Sequence, residues 1–458
     1  MRLFRRGWMA LVMPAALVAA GCSTYSSTSP IIRDALVHQD YEKATKEISK
    51  INKSNSELLY CYELGTVQHE QGDYAASNAT FERAEEVFDE LYTKSISREI
   101  GAAVVNENLV KYRGDAFEAV LVNYYKILNY LFLGQPSDAL VECRRLNQKL
   151  QVIHDAGETY FVDDPFLQYL TALVYEYGGE PGSAEVSYRA SFQEYESDST
   201  VAVPPWLPCD AAANARRAGD AELAASYEKG AGCPPPANGR GRVVVLVEAG
   251  SVARKIENSF TVPILNNDRY SNQDAYSYEL YRRRGQHYDN RVVKYWLHVA
   301  LPALEVDPPQ AHRAVVRASL AAPATPAISE QPAQATSVCV EDLDAQAARA
   351  YREKQPTVVM RAIARALAKY IASEAASQKD TGLGTLVNLL GVVTETADTR
   401  SWTTLPRTIE LARLDLDPGK YKIDVDVVDP RGALLVHESF DNVEVRADGL
   451  EVRRVRIR

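Results

Sequence analysis

The spacing of glycine, aromatic and alanine residues between positions 64 and 84 constrains the fold of this chain more than any other feature. One predicted helix carries Leu64 and Gly65, a turn carries Gly72, and a second helix carries Tyr74, Phe81 and Ala84. Gly65 lets the two helices approach closely, and Gly72 opens the turn between them. The aromatic side chains fill the gap between the helices. The spacing therefore predicts a helix–turn–helix unit.

The same pattern recurs in the first half of the chain. Two weaker copies follow, at 123–146 and 168–192. In these copies Pro136 and Pro181 occupy the position at which the second helix begins, where proline is tolerated. The pattern resembles the tetratricopeptide repeat (TPR), a helical repeat of about 34 residues. We therefore expect a TPR-like α-solenoid over 31–232, and the alternative is a helical bundle in which the spacing arises by chance.

The period of the sequence changes after residue 242. A valine run at 243–247 is typical of a buried strand, and apolar residues alternate with charged ones from 408 onward. This alternation predicts antiparallel strands with one face on a core. The predicted fold class is α+β multidomain: the solenoid is followed by an antiparallel β-sandwich. The remaining predicted parts are a linker at 233–242 and the sandwich at 243–458, with a flexible loop at 321–337 and a helical insertion at 341–397.

The predicted helical insertion has two contrasting sets of side chains. Its apolar residues on one face are Val359, Ile363, Leu367, Tyr370 and Ile371, and its basic residues elsewhere are Arg361, Arg365 and Lys369. The basic set is interpreted as a solvated face, or as a contact for lipid phosphates or an acidic partner. The apolar segment Gly382–Val393 predicts either a core helix or an exposed tip that touches a membrane or a partner.

The N-terminal segment has the layout of a secretory signal peptide, with arginines, an apolar run and then small residues. The small residues lead directly into Cys22, which resembles the processing site of bacterial lipoproteins. The resemblance implies that 1–21 are removed, that Cys22 carries acyl chains such as palmitate, and that 22–30 form a tether. Ser23, in place of aspartate, implies sorting to the outer membrane, with the protein facing the periplasm. The alternative is an ordinary signal peptide in which Cys22 is incidental.

Charge and cysteine usage restrict the partners and the compartment. The net charge is −10 and no domain-wide basic face is evident, so we predict no nucleic-acid binding. Cys209 and Cys233 flank a short helical stretch and are candidates for a disulfide in an oxidising compartment. After the predicted signal, no apolar run reaches the roughly 18 residues of a membrane helix. The acyl chains are therefore the expected membrane attachment.

Three stretches resemble a family of uncharacterised bacterial lipoproteins that join TPR-like helices to a C-terminal β domain. The stretches lie at 112–125, 138–145 and 397–406, and the resemblance covers nearly the whole mature chain. Members of this family look like neighbours of lipoproteins that activate cell-wall synthases. The resemblance therefore implies a role in the cell envelope, linked to cell-wall synthesis, but it implies no particular reaction.

The sequence lacks the common motifs of metal-binding, nucleotide-binding and catalytic sites. Its seven histidines lack the H-x-x-x-H and H-E-x-x-H spacings of metal sites. It contains no C-x-x-C pair, no nucleotide-binding glycine pattern and no G-x-S-x-G elbow. We therefore predict no catalytic residues, no metal and no cofactor, and a protein that is not an enzyme.

A polar and aromatic stretch among the repeats is the candidate partner-binding site. In a solenoid, amides can bond the backbone of an extended peptide while tyrosines provide rigid contact area. The candidates are Asn106, Asn108, Tyr112, Glu118, Asn123, Tyr124, Glu142, Arg144 and Arg145. The alternative is that these residues fasten helix to helix, with Glu118 paired to an arginine. A second group is interpreted either as a binding corner or as an ion pair and aromatic plug that pin the insertion: Asp398, Arg400 and Trp402.

These features together predict a periplasm-facing, membrane-anchored scaffold that binds another cell-envelope protein through its helical repeats. Its expected role is cell-envelope assembly or maintenance. Two alternatives stay open. One is an enzyme acting on peptidoglycan or another envelope polymer, which a cluster of carboxylates in a deep groove would favour. The other is a surface-displayed lipoprotein that binds something outside the cell.

Overall fold

The computed structural model describes residues 25–93, 110–155, 164–197, 200–233, 239–265, 293–308, 312–321, 332–377 and 396–458. Several predicted features lie outside the described residues, namely Cys22 with the signal-like N-terminus, Asn106, Asn108 and Gly382–Val393. Within the described ranges, no helix combines the length and the apolar character needed to cross a bilayer.

The first half of the described chain folds into consecutive pairs of helices. They are α1 (Tyr25–Val37), α2 (Tyr41–Ile48), α3 (Lys53–Gln71), α4 (Tyr74–Thr93), α5 (Ala116–Phe132), α6 (Pro136–Asp155), α7 (Pro165–Tyr177), α8 (Pro181–Ser197), α9 (Leu207–Arg217) and α10 (Ala221–Glu228). Each helix packs most extensively on the other member of its pair, and successive pairs contact one another. This stack confirms the prediction of TPR-like helical repeats.

Glycine and proline residues act in this stack as the sequence predicts. A Cβ atom on Gly65 would lie 2.6 Å from Cε1 of Phe81, so only glycine permits this approach of α3 to α4. Gly72 ends α3 with a φ angle of 85°, in the left-handed conformation that commonly terminates helices. Pro136 and Pro181 begin α6 and α8, each the second helix of its pair.

The second half of the described chain contains two four-stranded sheets and a separate hairpin. Its strands are β1 (Gly241–Ala249), β2 (Arg254–Leu265), β3 (Val293–Glu305), β4 (Arg313–Leu320), β5 (Ala333–Thr336), β6 (Val338–Asp342), β7 (Thr408–Leu416), β8 (Gly419–Val428), β9 (Leu434–Val445) and β10 (Leu450–Ile457). One sheet has the order β10-β1-β7-β6, the other has the order β5-β4-β8-β9, and β2 pairs with β3. A long helix, α11 (Leu343–Ser377), lies between β6 and β7 in the chain. We refer to residues 239–458 as the β part.

Strand β1 is buried along its whole length because it has an apolar layer on each side. Val243, Val245 and Val247 share one apolar cluster with β4 and β8 of the other sheet. Val244 and Leu246 belong to the cluster that contains the helices. A strand that is buried on both faces has a continuous apolar sequence instead of an alternating one. This burial accounts for the valine run.

Two predictions for the β part are wrong in detail. The first sheet is mixed, because β10 pairs with β1 in parallel, with Val452 opposite Val244. The two strands are distant in sequence, so the local pattern contains no sign of their relative direction. The predicted loop at 321–337 is also not a loop throughout, because Ala333–Thr336 pair with β4. The composition of this segment favours a loop, but strand pairing depends on the neighbouring strand more than on composition.

Helix α11 packs on the hairpin through small side chains. Ala362 and Ala366 form an apolar cluster with Val299 of β3. Arg365 is buried, with 1% of its surface exposed, so the predicted basic stripe is not one solvated face. The large apolar residues Met360, Ile363, Leu367 and Ile371 are instead 51–68% exposed. The alanines lie against the hairpin, and the larger side chains face solvent.

Candidate functional site

Five of the candidate partner-binding residues are buried. They are Tyr112, Glu118, Asn123, Tyr124 and Glu142, and each has at most 6% of its surface exposed. These residues lie just before α5, on α5 or on α6. Their polar groups bond to other parts of the same chain. In this structure the predicted peptide-binding face is therefore an interior surface, because its side chains are already covered.

Glu118 fixes the start of α5 and also binds the β part. One carboxylate oxygen accepts hydrogen bonds from the Asp115 N–H at 2.8 Å and from the Tyr112 hydroxyl at 2.5 Å. The other oxygen accepts a hydrogen bond from the Trp402 N–H at 2.7 Å. Burial and the neighbouring Asp115 carboxylate raise the pKa of Glu118. Three uncharged donors therefore hold Glu118, in place of the arginine considered from the sequence.

Trp402 inserts between the helices and joins the two halves of the chain. Its side chain is fully buried, and its ring stacks on Tyr62 of α3 with the centroids 4.4 Å apart. Its Nε1–H donates a hydrogen bond to the Thr66 hydroxyl at 3.0 Å. A second link joins α5 to β1, where the Tyr124 hydroxyl donates to Glu248 at 2.8 Å. The chain's own β part therefore covers this side of the helix stack.

The corner before β7 contains the ion pair and the aromatic plug that were one interpretation of its sequence. Arg400 donates two hydrogen bonds to the Asp398 carboxylate, each at 2.8 Å. Arg400 also donates to the backbone carbonyl of Asn55 at 3.0 Å. With Trp402 beside it, this corner attaches the β part to α3, whereas the sequence suggested that it pins the helical insertion.

Asn123, Glu142 and Arg145 belong to a charged cluster among α4, α5 and α6, whereas Arg144 pairs with Glu180 just before α8. Lys126 has a fully buried side chain and lies 3.0 Å from the Glu142 carboxylate. The Asn123 amide donates to Glu142 at 3.1 Å. Arg144 and Arg145 have 50% and 41% of their side chains exposed, and both form ion pairs with glutamates. Of the described candidates for partner binding, these two arginines are the ones that solvent reaches.

Two further observations concern cysteine and metal chemistry. Cys209 and Cys233 form a disulfide with their Cα atoms 5.3 Å apart. This bond links the start of α9 to the segment that follows α10. Over the described ranges, no group of three or more histidine, cysteine, aspartate or glutamate side chains is arranged to hold a metal ion.

A cavity of about 600 Å³ opens where four segments of the chain meet. These segments are the residues just before α5, the β2–β3 hairpin, α11 and the corner at 398–400. The volume lies within the range of small-molecule binding sites. Its apolar wall includes Leu301, Pro302, Tyr351, Val358 and Val359. We call this space the cationic cavity, because most of the charged residues that line it are lysine or arginine.

The cavity carries positive charge although the chain as a whole is acidic. Seven lining residues are cationic and two are acidic, whereas the chain has a net charge of −10. The cationic residues are Lys111, Arg113, Lys255, Lys354, Arg361, Arg365 and Arg400. The Asp115 carboxylate lies 3.0 Å from Nζ of Lys255 and 2.7 Å from Nζ of Lys354. Asp398 pairs with Arg400, whereas Lys111 and Arg361 form no ion pair within the described residues, so positive charge is left in excess.

These ion pairs determine what the cavity can do chemically. Burial would raise the pKa of Asp115, but the ammonium groups of Lys255 and Lys354 hold it below its usual value. An acid of this kind stays ionised at neutral pH and is a poor proton donor. Among the described lining residues there is no histidine, cysteine or serine. The arrangement therefore suits the binding of an anion more than proton transfer.

The sequence indicates only part of this cavity. Tyr112 is one of the candidate residues, and the charge pattern draws attention to Arg361 and Arg400. Lys255 and Lys354 have no comparable signal, because a hairpin and a distant helix bring them to the start of α5 only in the folded protein. The ion pairs that define the site are thus a property of the tertiary structure.

Comparisons with known proteins find similarity to solved structures over less than half of this chain. No protein-family profile matches the chain, and no curated protein sequence matches it. Solved structures with similarity include MamA, at 13% identity over 45% of this chain and 88% of MamA, with a TM-score of 0.28. The apo form of RapI matches at 10% identity over 45% of this chain and 52% of RapI, with a TM-score of 0.32. The TPR2AB domain of yeast Sti1 matches at 13% identity over 45% of this chain and 75% of that domain, with a TM-score of 0.21. Scores this low support no structural argument, so the description as TPR-like rests on the helix pairs themselves.

Proposed function

We propose that this chain is a lipid-anchored, non-catalytic scaffold of the bacterial cell envelope that binds another envelope protein. One observation carries the proposal: four large apolar side chains on α11 face solvent. They are Met360, Ile363, Leu367 and Ile371, which we call the α11 row, and each is 51–68% exposed. A contiguous apolar surface of this kind commonly marks a protein or membrane contact.

The α11 row has the spacing with which an amphipathic helix binds a partner. Its members are three or four residues apart, so they share one face of the helix. Arg352 is exposed on the same helix and forms no ion pair within the described part of the chain. The partner that fits best is therefore a helix with acidic residues beside its apolar face.

In this proposal the helix stack has a supporting role. The inner residues that the sequence put forward for peptide binding are covered by Trp402, Glu248 and their neighbours. The stack holds the β part in place, and the β part in turn positions α11 through the hairpin. The binding surface is thus displaced from the repeats to the helix between β6 and β7.

The membrane anchor in this proposal is supported by the sequence. The arginines, the apolar run and the small residues before Cys22 are typical of a lipoprotein signal. Stable attachment needs more than one acyl chain, and Ser23 favours the periplasmic face of the outer membrane. A variant in which residues 1–22 are replaced by the cleavable signal peptide of a soluble periplasmic protein should move from the membrane fraction to the soluble periplasmic fraction. Retention of this variant in the membrane fraction would contradict acyl anchoring.

Crosslinking in intact cells tests the protein-binding part of the proposal. A photoreactive residue at Leu367 should yield one dominant crosslinked protein, and Ile363→Glu should abolish that crosslink. The matched control is Val186→Glu on α8, because Val186 is 57% exposed and lies outside the α11 row. An undiminished crosslink in the Ile363→Glu variant would refute this surface. The identity of the captured protein would also test the link to cell-wall synthesis.

A further inference from the structure

We propose that the cationic cavity binds an anionic amphiphile, a molecule with a phosphate head group and an apolar body. The cavity and the α11 row lie on different faces of α11, so this inference does not depend on the scaffold role. It rests on the charge balance, the burial and the apolar wall of the cavity.

The charge balance favours an anion. One carboxylate, Asp115, is shared by two ammonium groups, those of Lys255 and Lys354. Within the described residues, Lys111 and Arg361 form no ion pair, and both are exposed at the cavity. The described lining therefore has more positive charge than it neutralises. A phosphate monoester, with a charge near −2, compensates this excess better than a carboxylate does.

The burial of these groups strengthens the attraction. The side chains of Asp115 and Lys255 are 7% and 20% exposed, so salt screens their interactions less than it screens surface pairs. Lys255 remains protonated despite burial, because the carboxylates of Asp115 and Glu118 raise its pKa. Asp115 also fixes the positions of the two ammonium groups before any ligand arrives. An anion would therefore bind without first ordering these long side chains.

The apolar wall determines the rest of the ligand. Leu301 and Pro302 of the hairpin and Val358 and Val359 of α11 line the cavity. Tyr351 completes this wall, and its hydroxyl already donates to the Pro302 carbonyl at 2.9 Å. These groups offer contact area but little hydrogen bonding, so a free phosphate ion would leave them unused. A head group joined to an apolar body uses both parts of the cavity.

Calorimetric titration of the full-length Cys22→Ser protein, which carries no acyl chains, tests the proposal. The ligands are dodecyl phosphate below its micelle concentration, inorganic phosphate and the uncharged dodecyl maltoside. We expect dodecyl phosphate to bind at least about tenfold more tightly than either comparison ligand. Equal affinity for inorganic phosphate would show that the site binds a free anion, and equal affinity for dodecyl maltoside would show an apolar site without charge selection. Either result, or no binding, would overturn the proposal.

Two variants place the binding in this cavity. Arg361→Gln removes an exposed cation and should weaken dodecyl phosphate binding about tenfold, since a charged hydrogen bond is lost. Val358→Asn should weaken dodecyl phosphate binding but leave inorganic phosphate unaffected. The charge-matched control is Arg216→Gln, because Arg216 is 44% exposed on α9 and pairs with Glu228. Near-UV circular dichroism confirms that each variant is folded. Unchanged affinity of a folded Arg361→Gln protein would exclude this cavity as the site.

Discussion

Removal of the Trp402 side chain is the most direct test of how the two halves of the chain are joined. Trp402 has no exposed surface, and its ring lies 4.4 Å from the Tyr62 ring and 5.8 Å from the Tyr125 ring, measured between centroids. Deleting a buried aromatic side chain typically costs 3–5 kcal/mol, because transfer free energy and packing are both lost. The variant also removes the hydrogen bond that Nε1–H of Trp402 donates to the Thr66 hydroxyl. We therefore expect Trp402→Ala to lower the free energy of unfolding by about 4 kcal/mol.

Urea denaturation followed by far-UV circular dichroism measures this change. Hydrogen exchange then locates it, and we expect α3 and the segment around 402 to lose protection together. Trp402→Phe retains most of the ring and should cost less than half as much. The matched control is Trp296→Ala on β3, where the side chain is 38% exposed, so the change should stay near 1 kcal/mol. A loss below about 1 kcal/mol for Trp402→Ala, or exchange confined to one half, would refute the view that this side chain couples the halves.

Three further predictions concern other parts of the fold. Gly65→Ala should lower the free energy of unfolding by about 1–2 kcal/mol in urea titrations, because the new methyl group meets the Phe81 ring. The control is Gly182→Ala, which should be neutral or slightly stabilising because the space around its Cβ is open. Burial raises the pKa of Asp164 to about 6, and burial with the Asp164 charge raises the pKa of Glu341. The unfolded chain therefore ionises first at these two positions, and the contribution of this pair to stability should fall by about 2 kcal/mol as pH rises from 4 to 7. The stability difference between Asp164→Asn and the unmodified protein should therefore change over this pH range, and a difference that is independent of pH would contradict the assignment. Reduction of the disulfide at α9 and α10 should lower stability by about 3 kcal/mol, and equal melting temperatures with and without reductant would contradict this expectation.

The helical half shows what local patterns can predict. The contact between Gly65 and Phe81 lies within one repeat, and the turn at Gly72 needs a positive φ angle that glycine adopts readily. Contacts and turns within one repeat can therefore be predicted from the spacing of residues along the sequence. Local patterns also predict the strands of the β part, because the buried residues Val425 and Val427 alternate with charged residues that are only half-buried.

The features that escaped prediction depend on contacts between distant segments. The parallel pairing of β10 with β1 has no local signature. The burial of Tyr124 follows from its bond to Glu248, which is 124 residues away in the chain. The sequence alone does not distinguish a repeat tyrosine that is free to bind a peptide from one that already bonds to a strand of the same chain. The ammonium pair of Lys255 and Lys354 is hidden for the same reason.

The position of β10 has a consequence for how the protein is made. β1 obtains its parallel neighbour only from residues 450–457, and Arg454 reaches Glu248 across a separation of 206 residues. During synthesis the early helices can form as they emerge, since their contacts are local. The edge of β1 that pairs with β10 stays unpaired until more than 200 further residues have been synthesised. A chain interrupted before residue 450 would keep that edge open, and an open edge invites aggregation or proteolysis. The fold thereby distinguishes chains that contain residues 450–457 from chains that lack them.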